Sequence, residues 1–370
     1  MATAVISDLH LGALNGSDVL RRPGAAERLA AALEPADRVV LLGDTLELRE
    51  RPIAALLHEV RPLFERLAPA LSGKRVTLVP GNHDHQLGQT WLARERLAGR
   101  ALLPENEWPV SPGEADGPAG VLASWLPGSQ LTLAYPGLRL EGGVYATHGH
   151  YLDVFLTVPR VESIAASAVA RLSGRGPDCH SADDFEAVVA PIYGFHSALA
   201  EGATGASLSR GAKLSRTVWR RATGDGRVGR VLIGRVTIPA AVAALNRLKI
   251  GPFSPTLTGE ELRRAGLIAM SRVADAVAPD AEHVLFGHTH RAGPLPGDDP
   301  VEWSTLSGGR LWNTGNWYVE AGFIRDTAEH SPYWPGTIAW LEPGRAPRLE
   351  NALRGYAVAG TGAATGVPAA

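Results

Sequence analysis

Five short clusters gather the side chains that could do chemistry: Ser7-Asp8-Leu9-His10, Gly43-Asp44, Gly81-Asn82-His83-Asp84, Thr147-His148-Gly149-His150 and Gly287-His288-Thr289-His290. Their donors are carboxylate, imidazole and one amide, with no thiolate, which is the set expected for Mn, Fe, Zn or a similar divalent ion. Asp8 and His10 lie two apart on an extended segment and so share one side, and His288 and His290 repeat that spacing. With Asp44, Asn82 and His148 they make seven donors, more than one tetrahedral site needs and enough for two ions completed by water. Two ions about 3.5 to 4 Å apart activate water at neutral pH and clamp a phosphoryl group. Phosphoester hydrolysis is the chemistry that suits these residues.

For the clusters to meet, the chain must bring them to one edge of a sheet. Each follows a short apolar run rich in β-branched residues: Thr3 to Ile6, Val39 to Leu42, Val76 to Val79, Val144 to Ala146 and His283 to Phe286. Helical patterns at Ala25 to Leu33 and Ile53 to Leu71 separate the first three, which predicts an α/β fold with right-handed crossovers. In such sheets ligands bind where the carboxyl ends of strands and their loops converge, and the glycines in the clusters allow sharp turns there. The proline- and glycine-rich stretch from Pro104 to Gly120 predicts a surface loop after a helix around Trp91 to Leu97, and Leu131 to Ala134 with Leu138 to Leu140 predicts a hairpin. Closing strands are expected at Leu311 to Asn313, Trp317 to Ile324 and Thr337 to Leu341. From Asp153 to Asp280 alanine-rich helical segments broken by glycines predict an inserted helical cap. The organisation read from this is a core over residues 1–152 and 281–358, a cap over 153–280, and a tail over 359–370 with little to pack.

Composition bounds the function. With 370 residues, 45% of them hydrophobic and 20% charged, the chain can bury a large core. A net charge of -2 gives no support for wholesale binding of nucleic acid or anionic membrane. The average conceals residues 210–235, where eight basic side chains face Asp225 alone. Lys213, Arg216 and Arg220 there follow helical spacing, so a basic cap face is feasible that steers a phosphate-bearing substrate or touches anionic lipid. Arg216 and Arg220 are its candidate substrate residues. Cys179 is the single cysteine, which excludes an intramolecular disulfide and fits a reducing, cytoplasmic setting. No apolar stretch reaches the roughly 18 residues of a transmembrane helix, so membrane contact is expected to be peripheral, through the cap.

In their order along the chain, Asp8-Leu9-His10, Gly43-Asp44, Gly81-Asn82-His83-Asp84, His148 and Gly287-His288-Thr289-His290 resemble the motif blocks of the calcineurin-like metallophosphoesterases. The resemblance implies a four-layer β-sandwich flanked by helices. It implies one metal on Asp8, His10 and His290, a second on Asn82, His148 and His288, and Asp44 between them. It further implies that a metal-bridging hydroxide attacks phosphorus while His83, oriented by Asp84, stabilises the transition state or protonates the leaving group. Mn is the expected metal, with Fe, Zn, Co and Ni accepted by the same donors. Two ionised carboxylates against two divalent ions leave a positive balance that favours an anionic substrate. Glu47 reads equally as a partner of a ligand or a first-turn helix acid, His85 and His150 could touch phosphate, and Asn313, Gly315, Asn316 and Trp317 read as a structural turn.

The substrate expected is a phosphomonoester or phosphodiester of a small molecule. Asp8-Leu9-His10-Leu11-Gly12, Gly43-Asp44-x-x-Glu47 and the insertion also resemble the UDP-2,3-diacylglucosamine pyrophosphohydrolases, so pyrophosphate cleavage of a nucleotide-linked or lipid-linked substrate is the alternative. That branch commonly carries Arg at the place of His83 and Asp at that of His150. A non-catalytic metal-binding scaffold is the rival reading from another class.

Overall fold

Alternation along the strands sorts apolar side chains onto two faces. In β1 (Thr3–Ile6) and β2 (Arg38–Leu42), Ala4, Ile6, Val39 and Leu41 join one apolar cluster, while Val5, Val40 and Leu42 join another. The computed structural model describes residues 1–174, 178–202, 238–248, 250–254, 258–319, 323–324 and 331–358. Arg216, Arg220, the basic segment around them and the tail from 359 lie outside the described residues.

The remaining strands are β3 (Arg75–Val79), β4 (Glu107–Pro109), β5 (Gln130–Ala134), β6 (Gly137–Leu140), β7 (Val144–Thr147), β8 (His283–Phe286), β9 (Arg310–Asn313), β10 (Thr337–Leu341) and β11 (Arg348–Asn351). Among the described residues they form a seven-stranded sheet, ordered β11-β10-β1-β2-β3-β5-β4, and a four-stranded sheet, ordered β6-β7-β8-β9. β1, β2, β3 and β5 run parallel, as do β7, β8 and β9. The two sheets pack face to face through Val5, Val40, Leu42 and Val79 of the first and Val144, Ala146 and Leu285 of the second.

Helices cover both outer faces. On the larger sheet lie α1 (Ala25–Ala32), α2 (Ile53–Leu71), α3 (Gln89–Leu97) and α4 (Gly117–Ser124), which supply Leu29, Leu56, Val60, Phe64, Trp91 and Leu122 to its cluster. Over the smaller sheet lie α5 (Val161–Leu172), α6 (Ala182–Gly202) and α8 (Gly259–Val277), the last burying Leu267, Met270, Val273 and Val277 beside Val284 and Phe286. A further helix, α7, spans Ile238–Arg247. Helix, sheet, sheet and helix make the four expected layers. α8 falls within the span read as cap, yet it packs directly on the second sheet.

Three local expectations need correction. Pro104 to Gly120 is not a plain loop: it holds β4, whose Trp108 is paired with Leu133 of β5 and stacked on Trp91, and it opens α4. The expected hairpin does not form, because β5 joins the first sheet beside β3 while β6 pairs with β7 in the second. The chain changes sheets between them. Trp317 to Ile324 gives no strand among its described residues, only a bridge from Tyr318 to Asp18, and β11 takes an edge that the sequence did not announce.

Candidate metal centre

Because β1, β2 and β3 are parallel, the loops that leave them emerge on one edge, and backbone bonds lace them together. The amides of Asp8 and His10 donate to the carbonyls of Gly43 and Asp44, that of Leu48 donates to His83, and within the second sheet Gly287 donates to His148. The last turn completes the frame: the Asn313 side chain donates to Gly287 O, that of Asn316 to His290 O, and Trp317 N to Asp8 O. The segment read as a structural turn thus holds two of the clusters in place.

Asp8, His10, Asp44, His288 and His290 all adopt left-handed backbone, with φ between 45° and 63°, and they are the only non-glycine residues with positive φ among the described residues. Asp and His tolerate this region better than most residues do, and such strain concentrates at functional sites. Glycines make room for the side chains. A Cβ on Gly43 would overlap the His148 ring, one on Gly81 would overlap the Asp44 carboxylate, and one on Gly287 would overlap Asp8 and Ser7. Gly287→Ala is therefore expected to weaken metal binding about 10- to 100-fold and lower stability by about 1 to 3 kcal/mol, read by metal titration and thermal melting. Wild-type values in both would show that the close packing is slack.

All seven predicted donors converge. Donor atoms of Asp8, His10 and His290 lie within 4.8 Å of one another, as do those of Asp44, His148 and His288. Asn82 Oδ1 stands 3.1 Å from both His148 Nε2 and His288 Nδ1. Asp44 reaches both groups, with Oδ2 3.2 Å from His148 Nε2 and 3.8 Å from His10 Nε2.

The second ring nitrogen decides whether these histidines fit a metal. His148 Nδ1–H donates to Leu42 O (3.0 Å), His288 Nε2–H to Asp153 (3.0 Å) and His10 Nδ1–H to Glu47 (3.0 Å). Each is thereby held in the tautomer whose lone pair faces the cluster, the arrangement that orients metal-bound imidazoles. The donor set fits two divalent ions. The electrostatics agree: burial opposes ionisation of Asp44, yet His148 and His83 hold its carboxyl well below the usual range. Burial likewise works against a charged His148, and Asp44 nonetheless pushes it up to about 9. A cavity that draws positive charge so strongly suits cations.

His83 stands on the open side, its side chain 24% exposed against 2% for Asp44. Its amide donates to Asp44 Oδ1 (2.7 Å), its Nδ1–H meets both Glu47 oxygens (2.8 Å), and its Nε2 lies 4.0 Å from Asp44. Asp84 does not orient this ring. Its carboxylate instead accepts the amides of Gly81, Asp44, Thr45 and Leu46, stapling the loops after β2 and β3 together; burial and the Asp44 charge raise it to about 6. The orienting partner is Glu47, whose spacing after Asp44 was the available signal.

Two other expectations change. His150 is buried against Tyr135, Tyr151 and Tyr193, with Nε2 3.3 Å from the Tyr135 hydroxyl. His85 is buried too and meets Glu186 of α6 at 3.0 Å. Both join a tyrosine-rich cluster against α6. Asp153 had no motif to mark it.

The family model of the calcineurin-like phosphoesterases matches residues 1–183, which hold Asp8, His10, Asp44, Asn82, His83 and His148. This part of the chain belongs to that family, and the protein falls with it among the metal-dependent phosphoester hydrolases. His288 and His290 lie beyond the match and complete the same centre in space. No curated protein sequence matches the chain. Among solved structures it is similar to a dimetal phosphatase from Danio rerio, at 13% identity and a TM-score of 0.34, over 96% of this chain and 97% of the other. A superposition that loose transfers no geometry.

Proposed function

We propose that the protein hydrolyses a phosphoester at a dinuclear centre, with Asp8, His10 and His290 holding one ion, Asn82, His148 and His288 the other, and Asp44 shared. The observation that carries this reading is the convergence of seven nitrogen and oxygen donors, with the imidazoles of His10, His148 and His288 tied from behind. When bound, two divalent ions, manganese foremost, supply charge neutralisation and activate water toward phosphorus. The chain's own part is positioning and electrostatics. Asp44 and Asp84 fix the loops, Glu47 turns the His83 ring toward the open side, and His83 stabilises charge on the transition state or delivers a proton to the leaving oxygen.

Protein stripped with a chelator is expected to be silent, and Mn²⁺ to restore hydrolysis of an aryl phosphate. A panel of phosphomonoesters, phosphodiesters, cyclic nucleotides and nucleotide-sugar pyrophosphates then separates simple esters from the pyrophosphate alternative. Silence of fully metallated protein across the panel would favour the scaffold reading. Among the described residues no helix is long and apolar enough to cross a membrane.

A further inference from the structure

Arg49 follows Glu47 in the loop that leaves β2, and the bond from Leu48 N to His83 O fixes that loop beside His83. Its Nη1 lies 3.2 Å from His83 Nε2 and 3.2 Å from Glu162 Oε1 on α5, and the guanidinium sits 5.8 Å from the Tyr193 ring of α6. Nε and Nη2 are buried and have no hydrogen-bond partner among the described residues. Buried donors are nearly always paired. These two N–H groups share one edge of a planar guanidinium, the fork that grips two oxygens of a phosphate or carboxylate. Nearby arginines are spent differently: Arg21 binds Asp18, Glu59 and Ala13 O, and Arg51 binds Glu59 and Gly12 O, with Nε alone lacking a partner among the described residues.

We propose that Arg49 grips the non-bridging oxygens of the phosphoryl group, with Glu162 as its resting counter-ion, so that the site favours the dianion of a phosphomonoester over a phosphodiester. The inference rests on the phosphoesterase reading and adds its substrate class. A monoester presents one more negative oxygen than a diester, and the fork, 3.2 Å from His83 through Nη1 of the same guanidinium, is a cation outside the metal cluster that can take it. Glu162 stays ionised, since Arg49 and Arg160 outweigh its burial and hold it at about 2. Its contact with Arg49 is made at Nη1, so the carboxylate leaves the fork unpaired while lowering the positive charge that a phosphoryl group meets there.

The test uses manganese-loaded protein and two readouts. Kinetics compare p-nitrophenyl phosphate with bis(p-nitrophenyl) phosphate, and calorimetry measures the affinity for inorganic phosphate without turnover. Arg49→Gln is expected to weaken phosphate binding and raise KM for the monoester about 10- to 100-fold, with a smaller loss on the diester. Arg49→Lys keeps the charge, lacks the fork, and is expected to lose nearly as much. Glu162→Gln is expected to tighten phosphate and lower the monoester KM about three- to tenfold, a gain that a merely structural contact would not give. Undiminished phosphate affinity in folded Arg49→Gln and Arg49→Lys protein, or equal losses on both esters, overturns the proposal. Phosphate held through Arg49 by an enzyme that cleaves neither ester counts against the hydrolase reading and supports the grip.

Discussion

Asp44→Asn is expected to lower turnover by at least about 10³-fold and to leave the protein with less than its full complement of two ions. The substitution keeps the shape of the side chain and an acceptor for the His83 amide, which Asp44 Oδ1 receives at 2.7 Å. It removes the charge that lies between the two donor groups, 3.2 Å from His148 and 3.8 Å from His10. The fold should survive, because Asp84 continues to staple the loops through four backbone amides. Metal analysis after dialysis, kcat on an aryl phosphate and a melting curve check the three parts. Full occupancy with turnover within tenfold of wild type would show that Asp44 is not shared between ions.

His83→Ala is expected to reduce kcat by about 10² to 10⁴ while both ions stay bound. His83, His10 and Asp44 also bring donor atoms within 4.8 Å of one another, so geometry alone allows His83 as a ligand. Two features argue for a role toward substrate instead. Its ring is the exposed one of that trio, and Glu47 holds its Nδ1, leaving Nε2 3.2 Å from Arg49 Nη1 and 4.0 Å from Asp44 Oδ2. Glu47→Gln should fall between wild type and His83→Ala in kcat, since it loosens the ring without removing it. Loss of a metal ion in parallel with activity in His83→Ala would move the residue into the coordination set.

The donors were readable from sequence because each lies within a few residues of the end of a strand whose apolar run marks it. Strand ends in a parallel sheet meet by topology, so position along the chain converts directly into position in space. The same logic fails for the residues behind them. Asp153 orients His288 from 135 positions away, and Glu186 meets Tyr135 and His85 from α6; single acids in helical surroundings carry no signal of such partners. Arg49 could be placed near the site by its neighbours, but its unpaired fork is a property of what surrounds it. The false hairpin has a related cause. Alternation in Leu131 to Ala134 and Leu138 to Leu140 identifies strands correctly, yet pairing is a long-range choice, and here two sheets compete for adjacent segments.

The five left-handed residues at the centre bear on how this protein could evolve toward heat resistance. Each departs from the backbone preferred by ordinary side chains at a cost of roughly 1 to 2 kcal/mol, and the apolar layers must carry that cost. Exchanging such a residue for glycine relaxes the turn but discards a side chain of the proposed centre. Adaptation therefore has little freedom at these positions and is steered to the helices and outer strands, which can be strengthened without disturbing the chemistry. Lineages of this chain living at different temperatures should have changed at the periphery while the turns at its centre stayed uncomfortable.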